Sequence, residues 1–183
     1  NRPSHTENQV DHMKGMNKTL PEMFRRSVDK FPDVPALMGS VKGRYRSITY
    51  RQMAEKVRSF GRGLISLGLQ DRDHVALLSE NRPEWAIADI AFAHIGAVNV
   101  AAFPTIPAGQ AEYIISDSGA KIIVVSDLSQ LKKALEIQNR NKHLSIISME
   151  TPPDGVKNIM TFDEVMQLGE SSANTNDEFE KRL

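Results

Sequence analysis

The sequence predicts an α/β fold: a mostly parallel sheet with helices on both faces and a short hairpin at its edge. Three observations predict it. Apolar runs at residues 75–78, 98–103, 122–125 and 144–147, interrupted only by Asn99 and Ser145, have the length and β-branched content of strands covered on both faces. Stretches with helical spacing of apolar side chains separate them, and capping or terminating residues stand at the joints. Crossovers repeated at this interval imply parallel neighbours and right-handed connections.

The stretch at residues 79–105 organises the rest. Its helix opens with Asn81 as the expected cap and Pro83 in the first turn, where a missing N–H costs nothing, and it closes near Gly96. From Trp85 to Ala97 only Asp89 and His94 are strongly polar, so this helix is apolar around most of its circumference and requires cover on nearly every side.

The other elements follow in order. Residues 1–18 are polar, carry His5 and His12 without regular spacing, and read as a flexible arm. Thr19 with Glu22 three residues on, and Pro21 between them, predicts a capped helix running to Lys30. Residues 36–38 and 44–49, set apart by Gly39 and Gly43, predict the edge hairpin; no lysine-and-hydroxyl pair follows at the spacing a phosphate-binding loop needs. Thr49 with Gln52 predicts a second capping box, and Tyr50, Met53, Val57, Phe60, Leu64 and Leu67 form an amphipathic stripe ending at Gly68. Residues 107–116 read as a helix with Ala111, Ile114 and Ile115 on one side, followed by a turn at Asp117, Ser118 and Gly119. Leu128, Leu131 and Leu135 mark a further crossover helix. Beyond Pro152, Pro153 and Gly155, residues 158–160 form a short strand, and Thr161 with Glu164 caps a last brief helix. Residues 170–183 are a polar tail, expected to be disordered or a helix lacking its partner. The domain plan is therefore an arm at 1–18, an α/β unit at 19–169 and a tail at 170–183.

Composition narrows the function classes. Lysine and arginine number 23, as do aspartate and glutamate, so no net field draws the chain to nucleic acid. The absence of cysteine excludes disulfides, thiolate metal sites and a cysteine nucleophile, and fits a cytoplasmic location. No apolar run approaches a membrane-spanning length. The first residue is Asn1 rather than Met, which reads as a trimmed boundary.

Reactive groups are expected beyond the carboxyl ends of the strands, where open parallel sheets bind ligands. Those positions hold Ser79, Glu80, Asn81 and Arg82, then Pro104 and Thr105, then Ser126 and Asp127. None completes a catalytic set. A serine nucleophile needs a histidine base, and His94 lies in the apolar helix, where a packed, hydrogen-bonded role is expected. Glu80 and Glu84 fit dipole-favoured positions at a turn and a helix start as well as they fit an acid–base pair. No GxGxxG follows a strand. The reading assigns no catalytic, cofactor-binding or metal-ligating residue.

Asn81-Arg82-Pro83-Glu84-Trp85 resembles the AMP-forming acyl-CoA synthetases of the adenylate-forming ligase superfamily, in particular their long-chain fatty acid branch. Residues 48–53 (ITYRQM) are similar to the first core motif of that superfamily, a strand-to-helix turn usually read as LTYxEL, and residues 93–100 (AHIGAVNV) to the second. Phe103-Pro104-Thr105, where the first position is often Tyr, and residues 113–121 (YIISDSGAK) resemble the continuation in the long-chain branch. The resemblance spans residues 19–170. It implies that Thr49 is a cap, Trp85 a core anchor, Gly96 a helix end and Pro104-Thr105 a loop of an N-terminal subdomain. It further implies a parent enzyme using fatty acid, ATP, magnesium and CoA, cytoplasmic and in some relatives dimeric or in peripheral contact with the inner membrane. The phosphate-holding Ser/Thr/Gly loop, the acidic magnesium motif, the ribose-binding aspartate and the adenylation lysine of such an enzyme have no counterpart in this sequence, so the chain alone is expected to be inactive. A stand-alone nucleotide- or acyl-binding module and a dimerisation domain are the alternatives. The all-round apolar helix is accordingly expected to leave Ile87, Ile90, Phe92 and Ile95 partly uncovered, through self-association or as an open patch.

Overall fold

The computed structural model describes residues 19–41, 44–172 and 174–182; the expected arm at 1–18 lies outside them. Helix α1 (Leu20–Lys30) is followed by a hairpin, β1 (Pro35–Val41) and β2 (Arg44–Thr49), and by α2 (Tyr50–Ser66). Then come β3 (His74–Leu78), α3 (Pro83–His94), β4 (Val98–Ala102), α4 (Ala108–Ser118), β5 (Ile122–Val125), α5 (Leu128–Arg140) and β6 (Ser145–Ser148). The described chain closes with β7 (Ile159–Thr161), α6 (Phe162–Ser171) and α7 (Thr175–Lys181). Five strands form one parallel sheet in the order β4-β3-β5-β6-β7, and the antiparallel hairpin is a separate two-stranded sheet.

The period-two alternation of strand side chains divides the core. Val75, Leu77, Ile122, Val124 and Ile147 point into a cluster shared with α1, α2, α3, α6 and α7. Ala76, Leu78, Ile123, Val125 and Ile146 point the other way, onto Ala111 and Ile115 of α4 and Leu131, Ala134 and Ile137 of α5. Both faces are thus covered, as expected. Strand β4 is the exception, because at the sheet edge Val98 stays 42% exposed.

The capping predictions hold at three helices. Thr19 Oγ1 accepts from the Glu22 N–H, and Thr49 with Gln52 and Thr161 with Glu164 form complete capping boxes. The two hydrogen bonds from Thr161, backbone and hydroxyl, hold the Glu164 carboxyl below the usual carboxylate range. Asn81 does not cap α3: Arg82 occupies that position and makes no side-chain cap bond, the orphan amides being fewer because Pro83 has none. Gly39 lies inside β1 rather than at a turn, where Pro83 packs against its bare Cα. Asp117 and Ser118 extend α4 instead of ending it; Gly119, in left-handed conformation at φ 66°, makes the turn.

Helix α3 departs most from expectation. Ile87, Ile90, Phe92 and Ile95 are all buried within the single chain, so the uncovered patch does not exist. Helices α1 and α2, strands β1 and β4 and the side chain of Phe179 provide the walls. The last of these comes from the supposed tail, which folds as α7 and buries Phe179 against His94. Trp85 is half-buried and packs on the margin of this core rather than anchoring its centre.

Helix α6 reaches α2 at backbone distance. A Cβ at Gly63 would stand 2.0 Å from the Val165 carbonyl oxygen, and one at Gly169 would stand 1.9 Å from the Ser59 carbonyl oxygen. Gly109, by contrast, has open space around it. Gly63→Ala and Gly169→Ala are each expected to lower unfolding free energy by at least about 1–3 kcal/mol through overpacking. Gly109→Ala should raise it by roughly 0.5–1 kcal/mol by restricting the unfolded chain. Urea unfolding of the three variants checks both signs.

Candidate functional site

The strand order contains one reversal. From β3 the chain crosses through α3 to β4 on one side, then returns through α4 to β5 on the other side of β3. The carboxyl ends of β3 and β5 therefore diverge at a topological switch point, the usual ligand position in an open α/β sheet. An open cleft of about 700 Å³ lies there, walled by Leu37, Met38 and Gly39 of the hairpin, by residues 80–84 and by Glu150.

Arg82 spans it. Its guanidinium donates to Glu84 Oε2 at 2.9 Å, to the Ser126 carbonyl oxygen at 2.8 Å and to Glu150 Oε1 at 3.4 Å, tying together the turns that follow β3, β5 and β6. Partial burial works against its charge, but the hydrogen bond and charge of Glu84, with those of Glu150, hold its pKa above the ordinary arginine value. Beneath it Ser126, fully buried, has its hydroxyl 2.8 Å from Glu80 Oε2 and 3.2 Å from Asp127 Oδ2. One hydroxyl hydrogen serves two carboxylates. Asp127 Oδ1 also caps α5 by accepting from the Gln130 N–H at 3.0 Å. Burial opposes ionisation of Asp127, yet the backbone N–H groups of Gln130 and Ser129 and the Ser126 hydroxyl keep its carboxyl below the usual range.

Glu80, Asn81, Arg82, Ser126 and Asp127 from the sequence reading thus converge. Pro104 and Thr105 do not; the Pro104 carbonyl accepts instead from Lys133 Nζ of α5 at 2.6 Å. The Ser79 hydroxyl donates to the Glu80 carbonyl at 2.8 Å. His94 is remote, its Nδ1 donating to the Ile90 carbonyl at 3.1 Å, and both serine hydroxyls are occupied without a histidine base. Glu150 and the hairpin wall were missed. Extending the search beyond strand ends to the fourth predicted strand would have found Glu150, three residues after Ile147. Among the described residues no group of three His, Cys, Asp or Glu side chains could hold a metal ion. As a chemical device the cluster is a charged clamp joining three turns. With Glu80, Glu84 and Glu150 around one guanidinium that is already paired, it is unsuited to a triphosphate.

The family described as "AMP-binding enzyme" matches residues 24–178. The chain belongs to that family. It is 32% identical over 154 residues to the long-chain-fatty-acid–CoA ligase ACSBG1 of Bos taurus, which covers 83% of this chain and 21% of that protein. The chain thus spans about a fifth of the length of the curated relatives it matches. Among solved structures, a long-chain-fatty-acid CoA ligase described as putative in its own source, Rhodopseudomonas palustris, superposes with a TM-score of 0.70 at 23% identity, over 80% of this chain and 36% of that one. The N-terminal subdomain of Klebsiella oxytoca NpsA, solved with 3-hydroxybenzoyl-AMSN, superposes with a TM-score of 0.58 at 26% identity, over 82% of this chain and 32% of that one. Asn81, Arg82, Pro83 and Glu84 of the NRPEW motif line the switch-point cleft in this AMP-binding family member.

Two outcomes follow from the clamp. Arg82→Ala should cost about 2 kcal/mol in urea unfolding, the range for hydrogen bonds to charged groups, with Arg82→Lys intermediate because an ammonium cannot reproduce the fork. Because the Asp127 and Glu164 carboxyls are depressed in the fold, their contribution is present above the ordinary carboxylate range near pH 4 and is lost as pH falls through their folded values. Asp127→Asn should flatten that acid limb in thermal melts between pH 5 and about 2.

Proposed function

We propose that this chain forms the N-terminal part of a long-chain fatty acid CoA ligase. The parent would attach a fatty acid carboxylate to the α-phosphate of ATP, releasing pyrophosphate, and then pass the acyl group to the thiol of CoA, releasing AMP. The observation that carries this reading is the 32% identity over 154 residues to a long-chain ligase, with the NRPEW motif at the switch point.

In this chain the residues of the cleft do not fit ATP or its magnesium, so no step of adenylation is assigned to them. Their part is to hold the turns after β3, β5 and β6 at fixed separation, against which the remainder of the parent completes its site. A cytoplasmic parent is part of the proposal; no helix among the described residues is long and apolar enough to cross a membrane. Self-association through α3 has lost its support, since that helix is already covered.

Fatty-acid-dependent exchange of labelled pyrophosphate into ATP tests the reading. The purified chain should give none, and the protein extended to the full length of its relatives should exchange with a long-chain fatty acid. Exchange by the chain alone, or an extended protein indifferent to fatty acids, would count against it.

A further inference from the structure

Helix α7 is a single short helix docked on α2, where Arg62 donates to the Thr175 hydroxyl at 3.4 Å and Arg182 reaches the Ile95 carbonyl at 3.5 Å. Phe179, 3% exposed, is its one buried apolar residue. That ring lies over Gly61 of α2, where a Cβ would stand 2.6 Å from it, and stacks on the imidazole of His94 with centroids 5.5 Å apart and planes 7° from parallel. Arg58 pairs with Glu180, and Arg182 donates to the Leu69 carbonyl at 3.1 Å and pairs with Glu178. No side chain caps the helix start.

Among the described residues beneath α7, His94 is the one side chain of the type whose charge changes near neutral pH. It is 6% exposed, with the Phe24 ring of α1 edge-on at 6.2 Å and Phe179 face-on. The Ile90 carbonyl can only accept, so Nδ1 carries the hydrogen and Nε2 is where a second proton adds. Three charged groups line the same seam: Arg25 from α1, Arg58 from α2 and Glu180 from α7. Glu180 favours an imidazolium but is engaged by Arg58, and Arg25 opposes one. An open groove of about 130 Å³ runs along this seam.

We propose that α7 is a latch opened by acid, with His94 as its release. A charge on the buried ring requires water, and water reaches it most cheaply by lifting the seven-residue helix whose only buried apolar side chain covers its face. Burial keeps His94 below the ordinary histidine pKa, so docking favours the neutral ring. The sign follows: the stabilisation is full above about pH 6.5 and is lost as pH falls below it. Release would uncover Phe179 and Gly61.

Nuclear magnetic resonance on this chain from pH 8 to 5.5, above the range where glutamates protonate, tests it. One pH unit below the ordinary histidine pKa shifts the docking equilibrium by about tenfold at most, so the amides of residues 175–181 should move part of the way towards unstructured positions, following the midpoint of the His94 ring. Phe179→Ala should raise that midpoint towards the ordinary histidine value, and His94→Phe, which keeps an aromatic face, should leave α7 docked throughout. An α7 that stays docked to pH 5.5, or one released at the same midpoint in His94→Phe, overturns the proposal. Should His94→Phe fail to fold, an unmoved His94 midpoint in Phe179→Ala overturns it equally.

Discussion

A helix that is apolar around most of its circumference is stable in water only if other elements cover nearly every side of it, and α3 imposes that demand on the rest of the chain. The sheet supplies one wall. Helix α1, the hairpin strand β1 and the long amphipathic α2 supply others, and Phe179 of α7 closes the last. Elements that look peripheral in sequence therefore have a common purpose: each covers a part of α3 that would otherwise meet solvent. The hydrophobic free energy involved, roughly 1.5–3 kcal/mol for each fully buried large side chain, explains why so short a helix as α7 docks at all.

The switch-point cleft shows the same economy in charged groups. Parallel strands end with their loops splayed apart, and the β3, β5 and β6 turns would move independently if nothing crossed between them. Arg82 crosses, using the bidentate geometry of its guanidinium to reach two carboxylates and a backbone carbonyl at once. Pro83 directly after it fixes the start of α3, so the clamp and the helix are set by adjacent residues. Through the Arg82 bonds and Pro83, the NRPEW motif in this chain fixes the spacing of three turns and the start of α3.

Much of this was legible in the sequence because it is local. Strand β5 falls at residues 122–125 as its four apolar residues predict, and the Thr49–Gln52 and Thr161–Glu164 boxes form at the spacing that predicts them. What was not legible depends on partners distant in the chain. The burial of Ile87, Ile90, Phe92 and Ile95 comes from packing by α1, α2, β1 and β4, and Phe179 of the otherwise polar α7 covers His94 beside them; composition alone reads such a segment as unstructured. In the cleft, the strand-end rule located Glu80, Arg82, Ser126 and Asp127, but not their pairing across turns or the arrival of Glu150, since hydrogen-bond partners dozens of residues apart leave no periodic signal.

The glycine contact between α2 and α6 also has a meaning for the order in which the chain can fold. Gly63 and Gly169 are more than a hundred residues apart in the chain, so the larger core cannot shut around Phe60 and Phe162, whose rings stack 3.9 Å apart, until the last quarter of the chain is available. On a ribosome the crossover units β3 to β6 emerge with their second face, against α4 and α5, already able to close. The first face must wait for α6. A nascent chain therefore passes through a stage with one side of its sheet finished and the other exposed, and the time spent there is set by how soon residue 169 leaves the tunnel.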